Sequence, residues 1–268
     1  IRYLTTTEYK KENDNKAKQL SKDLEAQITR IVATPPEDKS SALLLQGQTN
    51  LYLHFKDFDS AVRSAQALLA INPPVDQTLR LEAATVVADA QFDKGNLEDA
   101  DKSYQQVLAF DIKDTKLKAR YQDRLATTYY RQAEKLRDEK NPELAAQAFL
   151  KAADMAADTK LKATADFDAA TVLLNAEKFK EAIPVLIAFR TRHPDSPLSQ
   201  DIPEKLAVAY EKSDDLGNAA LQYQAIAARD QKKNPAASRE ALWLAAETFE
   251  KIKQPEQALK IYQQYSAD

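Results

Sequence analysis

The stretch LAVAYEKSDDLGNAALQYQAI, residues 206–226, reads as two short amphipathic helices joined by a turn, and it decides the fold. The same pattern of two helices recurs along the chain, and such recurrence is typical of a protein built from stacked repeats rather than around one closed core. The period is marked by six alanines at intervals of 37 to 45 residues, most of them followed four positions later by a bulky residue. These alanines are Ala61, Ala100, Ala145, Ala182, Ala219 and Ala258, and the bulky residues are Tyr104, Phe149, Leu186, Tyr223 and Tyr262.

The composition favours an all-α architecture. The chain of 268 residues has 3 glycines, and the helix formers Ala, Leu, Lys, Glu and Gln dominate it. No apolar run approaches the roughly 20 residues that are needed to cross a bilayer, so we expect no direct membrane insertion. Because the sequence begins at Ile1 and carries no signal peptide, we interpret it as a fragment of a longer protein.

The charge balance excludes some classes of partner. The chain has 41 acidic and 38 basic residues and a net charge of −3, which argues against nucleic acid as the main ligand. It has no cysteine, which removes disulfides, thiolate metal sites and cysteine nucleophiles together.

Turn residues divide the region 41–268 into about six predicted helix pairs. Proline stops a helix or opens one because it lacks an N–H and fits only the first turn, and Gly95-Asn96 is a natural C-terminal cap. The first helix of the third pair is predicted to be the longest, which explains the 45-residue interval. The predicted helices cover 42–55, 60–71, 75–94, 97–110, 113–138, 142 onward, 161–176, 178–192, 203–212 and 255 onward.

Residues 1–40 are predicted to be a separate N-terminal segment with one long helix over 7–32. Its apolar residues, such as Leu20, Leu24 and Ile28, fall on one stripe. This helix either closes the first pair or belongs to a preceding repeat. A coiled-coil arm is the minority interpretation, because the pattern lasts too few heptads.

The spacing resembles the tetratricopeptide repeat, a helix–turn–helix unit of about 34 residues. When each recurring alanine is set at consensus position 20, position 8 also carries a small residue. Small residues are expected there because the paired helices cross at positions 8 and 20. The resemblance covers about 41–268 and implies an all-α, right-handed α-solenoid that serves as a non-catalytic interaction scaffold. The residues at position 8 are Thr49, Ala88, Ala133, Ala170, Ala207 and Ala246.

A second likeness concerns the compartment. The segment HPDSP at 193–197, together with 206–226, is similar to repeats of bacterial envelope proteins in outer-membrane assembly and Tol-system coordination. It implies a bacterial periplasmic location, with the cytoplasm as the alternative.

A catalytic centre is not expected. The chain has 2 histidines, His54 and His193, which are predicted to be surface or capping residues. Metal-binding spacing such as His-x3-His and a glycine-rich phosphate loop are both missing from the sequence. The sequence therefore predicts no enzyme activity, no metal site and no cofactor.

The resemblance places positions 2, 5, 9, 12 and 13 of each first helix on a concave groove. Of the thirty matching positions eleven are acidic and three basic, so the groove is predicted to be acidic and to bear aromatic side chains. Aromatic anchors beside charges suit a protein-binding surface, and the expected partner is a basic or basic-apolar protein segment. The candidate residues are Glu82, Asp89, Phe92, Asp93, Tyr130, Glu134, Phe167, Glu204, Glu211, Trp243, Glu247 and Glu250.

Other interpretations stay open. Acidic residues are common on any solvated helix face, and Trp243 can instead pack between the last two repeats. The final repeat presents Leu259, Tyr262 and Tyr265, so the chain can also be a self-assembly module that stacks end to end. A third interpretation is an accessory region of an enzyme whose catalytic domain lies outside this fragment.

Overall fold

The computed structural model describes residues 45–50, 53 and 57–267, and all regular elements of these residues are helical. The N-terminal segment 1–40, its predicted helix over 7–32 and His54 lie outside the described residues. Residues 45–50 are helical, and eleven α-helices follow. They are α1 (Phe58–Leu69), α2 (Gln77–Asp93), α3 (Leu97–Leu108), α4 (Thr115–Asp138), α5 (Pro142–Met155), α6 (Thr159–Asn175), α7 (Phe179–Arg192), α8 (Ile202–Lys212), α9 (Leu216–Asp230), α10 (Pro235–Lys251) and α11 (Pro255–Ala267).

The chain divides into two compact units between Thr128 and Tyr129, within α4. The described part of the first unit contains α1, α2, α3 and the start of α4. The second unit contains the rest of α4 and the helix pairs α4–α5, α6–α7, α8–α9 and α10–α11. A 3-10 turn, Pro197–Asp201, leads into α8.

Aspartate side chains set the starts of several helices. Asp76 accepts a hydrogen bond from the Thr78 amide at 2.8 Å, and Asp114 accepts one from the Lys116 amide at 2.8 Å. Such caps satisfy amides that have no partner within the helix. As a result α2 and α4 begin two residues later than the hydrophobic pattern predicted. The prediction that α4 is longer than its neighbours is confirmed, since its 24 residues make it the longest described helix.

The first helix of each of five pairs ends in the same turn. In the first of these turns the Asn96 amide donates to the Gln91 carbonyl at 3.0 Å, and the Gly95 amide donates to the Phe92 carbonyl at 3.0 Å. The residue five positions before the recurring alanine has a positive φ each time, which is the left-handed Schellman cap. The five residues and their φ angles are Gly95 (78°), Lys140 (61°), Glu177 (59°), Asp214 (64°) and Lys253 (57°).

Small residues lie at the helix crossings, as the sequence predicted. The six recurring alanines are at most 2% exposed and the six residues at position 8 at most 3%. Larger side chains fill the space around them. In the second unit Phe149 of α5 packs with Val172 and Leu173 of α6, and Phe189 of α7 packs with Leu206 of α8. The core therefore runs from pair to pair inside the unit, which is the packing of a helical repeat.

The turn geometry predicts opposite effects for two Gly→Ala substitutions. A Cβ at Gly95 or at Gly217 meets no atom within 4 Å, but only Gly95 has a positive φ, of 78°. We expect Gly95→Ala to lower the free energy of unfolding by about 1 kcal/mol, because a left-handed conformation strains an alanine. The matched control Gly217→Ala lies in helix α9 and should raise it by roughly 0.5 kcal/mol. Urea midpoints measure both, and an equal shift in the same direction would contradict the assignment.

Candidate protein-binding groove

The predicted groove residues lie on the first helices of the pairs. In the first unit four of them are on α2, and in the second unit the others are on α4, α6, α8 and α10. Two contacts show that α4, α6 and α8 lie side by side. Tyr130 of α4 donates a hydrogen bond to Asp168 of α6, and Lys205 Nζ of α8 lies 5.1 Å from the ring centre of Phe167 on α6.

Helix α10 continues this row beside α8. Ala207 of α8 is buried in one cluster with Ala241 and Ala245 of α10. The second unit thus has one surface formed by α4, α6, α8 and α10, which we call the acidic face. The residues predicted for it are Tyr130, Glu134, Phe167, Glu204, Glu211, Trp243, Glu247 and Glu250.

Tyrosine hydroxyl groups bind several of the predicted groove carboxylates. In three pairs the tyrosine four residues after the recurring alanine donates to an acid on the first helix of the same pair. The sequence pattern identified the acids and the tyrosines but not that they bind each other. The bonds are Tyr104 to Asp89 at 2.5 Å, Tyr223 to Glu211 at 2.8 Å and Tyr262 to Glu250 at 3.3 Å.

The donors of these bonds are neutral. Burial and the adjacent Glu211 raise the pKa of Tyr223 to about 12, and burial and Asp89 raise the pKa of Tyr104 further. The tyrosines are therefore neutral at physiological pH, and a neutral donor stabilises an anion without cancelling its charge. No cation among the described residues pairs with Glu211 or Glu250, whereas Arg124 Nε lies 3.9 Å from the Asp89 carboxylate.

Of the other five predicted acids, two are bound by side chains of the described residues and three are not. Glu204 binds Arg229 through both oxygens, at 2.5 and 3.1 Å, so its charge is neutralised. Glu82 accepts a hydrogen bond from Gln46. No hydrogen bond or ion pair between described residues engages the remaining three predicted acids, Asp93, Glu134 and Glu247.

The aromatic residues differ in how far they are accessible. Phe92 is 4% exposed, with its ring 6.5 Å from that of Tyr104, so it is a core side chain and not an accessible anchor as the sequence analysis expected. Tyr130 and Phe167 are half-buried. Trp243 is 44% exposed, which makes it the most accessible of the four.

Trp243 packs against the second helix of its own pair. Its ring centre lies 5.4 Å from that of Tyr262 and 5.6 Å from that of Tyr265, both on α11. Arg239 lies 4.7 Å from the centre of the Tyr265 ring. Trp243 is therefore oriented by two tyrosines while nearly half of its surface remains open to solvent.

The sequence analysis expected His193 to be a surface or capping residue and did not predict the burial of its side chain. His193 is the C-cap of α7, as expected for a capping residue, but its side chain is 10% exposed and does not lie on the surface. Its Nε2 is 2.7 Å from a carboxylate oxygen of Asp166, which is 3% exposed, and Arg192 lies 3.3 Å from the same carboxylate. Asp166 occurs on the apolar side of α6, where periodicity predicts a hydrophobic residue, and this mismatch was the available signal.

The described part of the chain contains neither a metal-binding cluster nor a membrane-spanning helix. No group of three or more His, Cys, Asp or Glu side chains there could hold a metal ion. Among the same residues, no helix is both long and apolar enough to cross a membrane.

Asp166 and Asp154 both contact Arg192, but we expect their loss to change the free energy of unfolding by very different amounts, because Asp166 also binds the buried His193. Asp166→Ala should lower the free energy of unfolding by about 2–3 kcal/mol, because it leaves the His193 ring buried without its partner. Asp154 is 76% exposed and 3.7 Å from Arg192, so Asp154→Ala should change it by at most about 0.5 kcal/mol. Thermal and urea unfolding measure both variants, and equal effects would show that the pair is not a structural element.

The tyrosine–carboxylate bond predicts a shift in titration. Glu211→Gln should lower the pKa of Tyr223 from about 12 toward 10, although burial should keep it above 10. In the wild type the raised pKa of Tyr223 stabilises the folded state fully below pH 10. This contribution is lost as the pH rises from 10 to 12, because the tyrosine of the unfolded state ionises first. Carbon-13 NMR of labelled tyrosine rings measures the pKa. Glu204→Gln, whose carboxylate binds Arg229, is the control and should leave Tyr223 unchanged.

Comparisons with known proteins gave one family match and several solved structures of low similarity. The family model of the tetratricopeptide repeat matches residues 240–268. No curated protein sequence matches the chain. BtubC from P. vanneervenii is 17% identical over 83% of this chain and 90% of its own, with a TM-score of 0.38. MamA is 16% identical over 73% and 94%, with a TM-score of 0.37.

YrrB, described as a TPR protein with an unusual peptide-binding site, is 16% identical over 87% of this chain and 97% of its own, with a TM-score of 0.34. The matched residues 240–268 comprise most of α10 and all of α11. The four pairs from α2–α3 to α8–α9 share the buried alanines and the left-handed turn. Residues 240–268 therefore match the tetratricopeptide repeat, and the four helix pairs from α2–α3 to α8–α9 share its buried alanine and its turn.

Proposed function

We propose that the chain is a non-catalytic scaffold that binds a basic or basic-apolar segment of another protein on the acidic face of its second unit. The observation that carries the proposal is the set of carboxylates beside the exposed ring of Trp243. Glu250 is bound only by a neutral tyrosine, and Glu247 lies on the same helix. A cationic segment placed there would meet negative charge next to an aromatic anchor.

Two aromatic rings of the second unit each have a cationic side chain of the protein stacked on them. Lys205 lies over Phe167 and Arg239 over Tyr265, at 5.1 and 4.7 Å from the ring centres. A cation above an aromatic face is favourable by about 0.5–2 kcal/mol, and more when it is desolvated. Lysine or arginine side chains of a partner would gain the same kind of contact at Trp243, which has no cation stacked on it in the described residues.

An apolar contact accompanies the charges. Val208 of α8 is 47% exposed and occupies the ninth position of its first helix, and Trp243 is 44% exposed at the fifth position of the next one. Exposed apolar side chains rimmed by charge are typical of protein-binding surfaces. This combination supports a partner segment that carries both basic and apolar residues.

The single tryptophan provides a direct test. We expect a synthetic peptide that alternates Arg and Leu to shift the Trp243 emission saturably, because Trp243 is the chain's 1 tryptophan. Affinity should fall by about tenfold or more in the variant Glu247→Lys with Glu250→Lys, and it should fall with added salt. The matched control is Glu181→Lys with Glu256→Lys, which makes the same charge change on second helices.

Equal loss in the two double variants would show a general charge effect and contradict binding on the acidic face. The natural partner can then be sought with immobilised wild-type chain and with Trp243→Ala, using envelope and cytosolic extracts. The fraction that supplies a Trp243-dependent partner also tests the proposed periplasmic location.

The second candidate function is self-association through the last helix. It is favoured by Leu259 of α11, which is 59% exposed, beside the partly exposed Tyr262 and Tyr265. Stacking of copies would bury these residues. Sedimentation over a range of concentrations separates the two candidates, because a scaffold for another protein should stay monomeric.

A further inference from the structure

A second concave site lies on the other side of the last two pairs. It is a cleft of about 640 Å³ between α9 and α11, the second helices of these pairs, with Ser238 and Leu242 of α10 also lining it. Volumes of about 300–1,000 Å³ are usual for ligand sites. We call it the glutamine cleft, because four of its ten lining residues are Gln224, Gln231, Gln257 and Gln264.

The glutamines are arranged regularly along the cleft. Gln224 and Gln231 come from the α9 side, and Gln257 and Gln264 come from α11. The two members of each pair are seven residues apart, which is about 10 Å along a helix axis. Because α10 runs antiparallel to both α9 and α11, the two walls run in the same direction.

The cleft has a charge opposite to that of the acidic face. None of its ten lining residues is acidic, and Lys260 is its one basic residue. On α10, by contrast, Glu247 and Glu250 belong to the acidic face. The two sides of the same helix pair therefore suit ligands of different charge.

The side chains in the cleft match a polypeptide backbone. Each glutamine amide offers one acceptor and two donors, which is what a peptide unit needs for its C=O and N–H. An extended chain rises about 3.3 Å per residue, so the two amides of one wall are spaced for about three residues. No hydrogen bond between described residues engages the side chains of Gln224, Gln257 or Gln264.

The floor and the lysine define the rest of the ligand. Leu242 and Ile261 are buried at 7% and 1% exposure and provide an apolar floor. The hydroxyl of Ser238 is already used, since it donates to the Ala227 carbonyl at 2.8 Å. Lys260 is exposed and would bind a carboxylate. No aromatic ring lines the cleft, which with a single cation disfavours nucleic acid.

We propose that the glutamine cleft binds an extended peptide segment that carries an aspartate or glutamate. The glutamines bind its backbone, Leu242 and Ile261 contact one apolar side chain, and Lys260 pairs with the carboxylate. The same repeat then binds a basic segment on one side and an acidic one on the other.

The experiment uses a display library of random seven-residue peptides that contain one central aspartate and no lysine or arginine. The library is selected on the full chain, and the best binders are measured as synthetic peptides by fluorescence polarisation. Lys260→Glu should weaken binding by about tenfold to a hundredfold, because it replaces a charge-assisted bond with repulsion. Gln257→Ala with Gln264→Ala should weaken it by about threefold to tenfold.

The control is Lys251→Glu, an equal charge reversal of an exposed lysine on α10, and it should change the affinity by less than twofold. Circular dichroism checks that each variant is folded. The proposal is overturned if the library yields no binder, or if its binders are insensitive to Lys260→Glu and to the glutamine variant. Binders that depend on Glu247 and Glu250 instead would assign the acidic peptide to the other face and would equally overturn it.

Discussion

The structure depends on the close approach of paired helices at two small residues. Ala207 of α8 and Ala219 of α9 carry no side chain longer than a methyl group, and each is at most 1% exposed. A larger residue would force the axes apart, because helix interiors pack at nearly crystalline density. Each pair then relies on the next one to cover its remaining apolar surface. The repeat thus fixes both the spacing of the helices and the row of first helices that forms the acidic face.

The left-handed turn is the second constraint, and it carries a conformational cost. It reverses the chain within a few residues, so that the second helix can start at a fixed distance from the crossing alanine. Only Gly95 adopts this conformation without strain, while residues such as Lys140 and Asp214 adopt it with a Cβ. The five turns nevertheless have the same hydrogen bonds, which indicates that packing of the two helices over-determines the geometry.

The sequence predicted most of the fold and only part of the site. The alanine period predicted the small residues at the crossings because burial at a crossing admits few residue types. The turn residues located helix ends to within about two residues. The site was harder, because position in a repeat does not tell which neighbour a side chain contacts. Phe92 shares the predicted pattern with Trp243 yet is buried, since Tyr104 and Arg124 cover its ring. His193 shows the reverse case, as its partner Asp166 is 27 residues away in the chain.

Helix α10 shows how one repeat can present two chemically different surfaces. Residues that lie three or four apart share a side of a helix, so the acids that follow Trp243 fall on one side. Leu242, one residue earlier, points about 100° away and lines the glutamine cleft with Ser238, four residues before it. The buried alanines between these two sides pack against the neighbouring helices and hold α10 in place. Charge on one side can therefore change with little effect on the other, because the buried residues of α10 that separate them, Ala241, Ala245 and Ala246, carry no ionisable group.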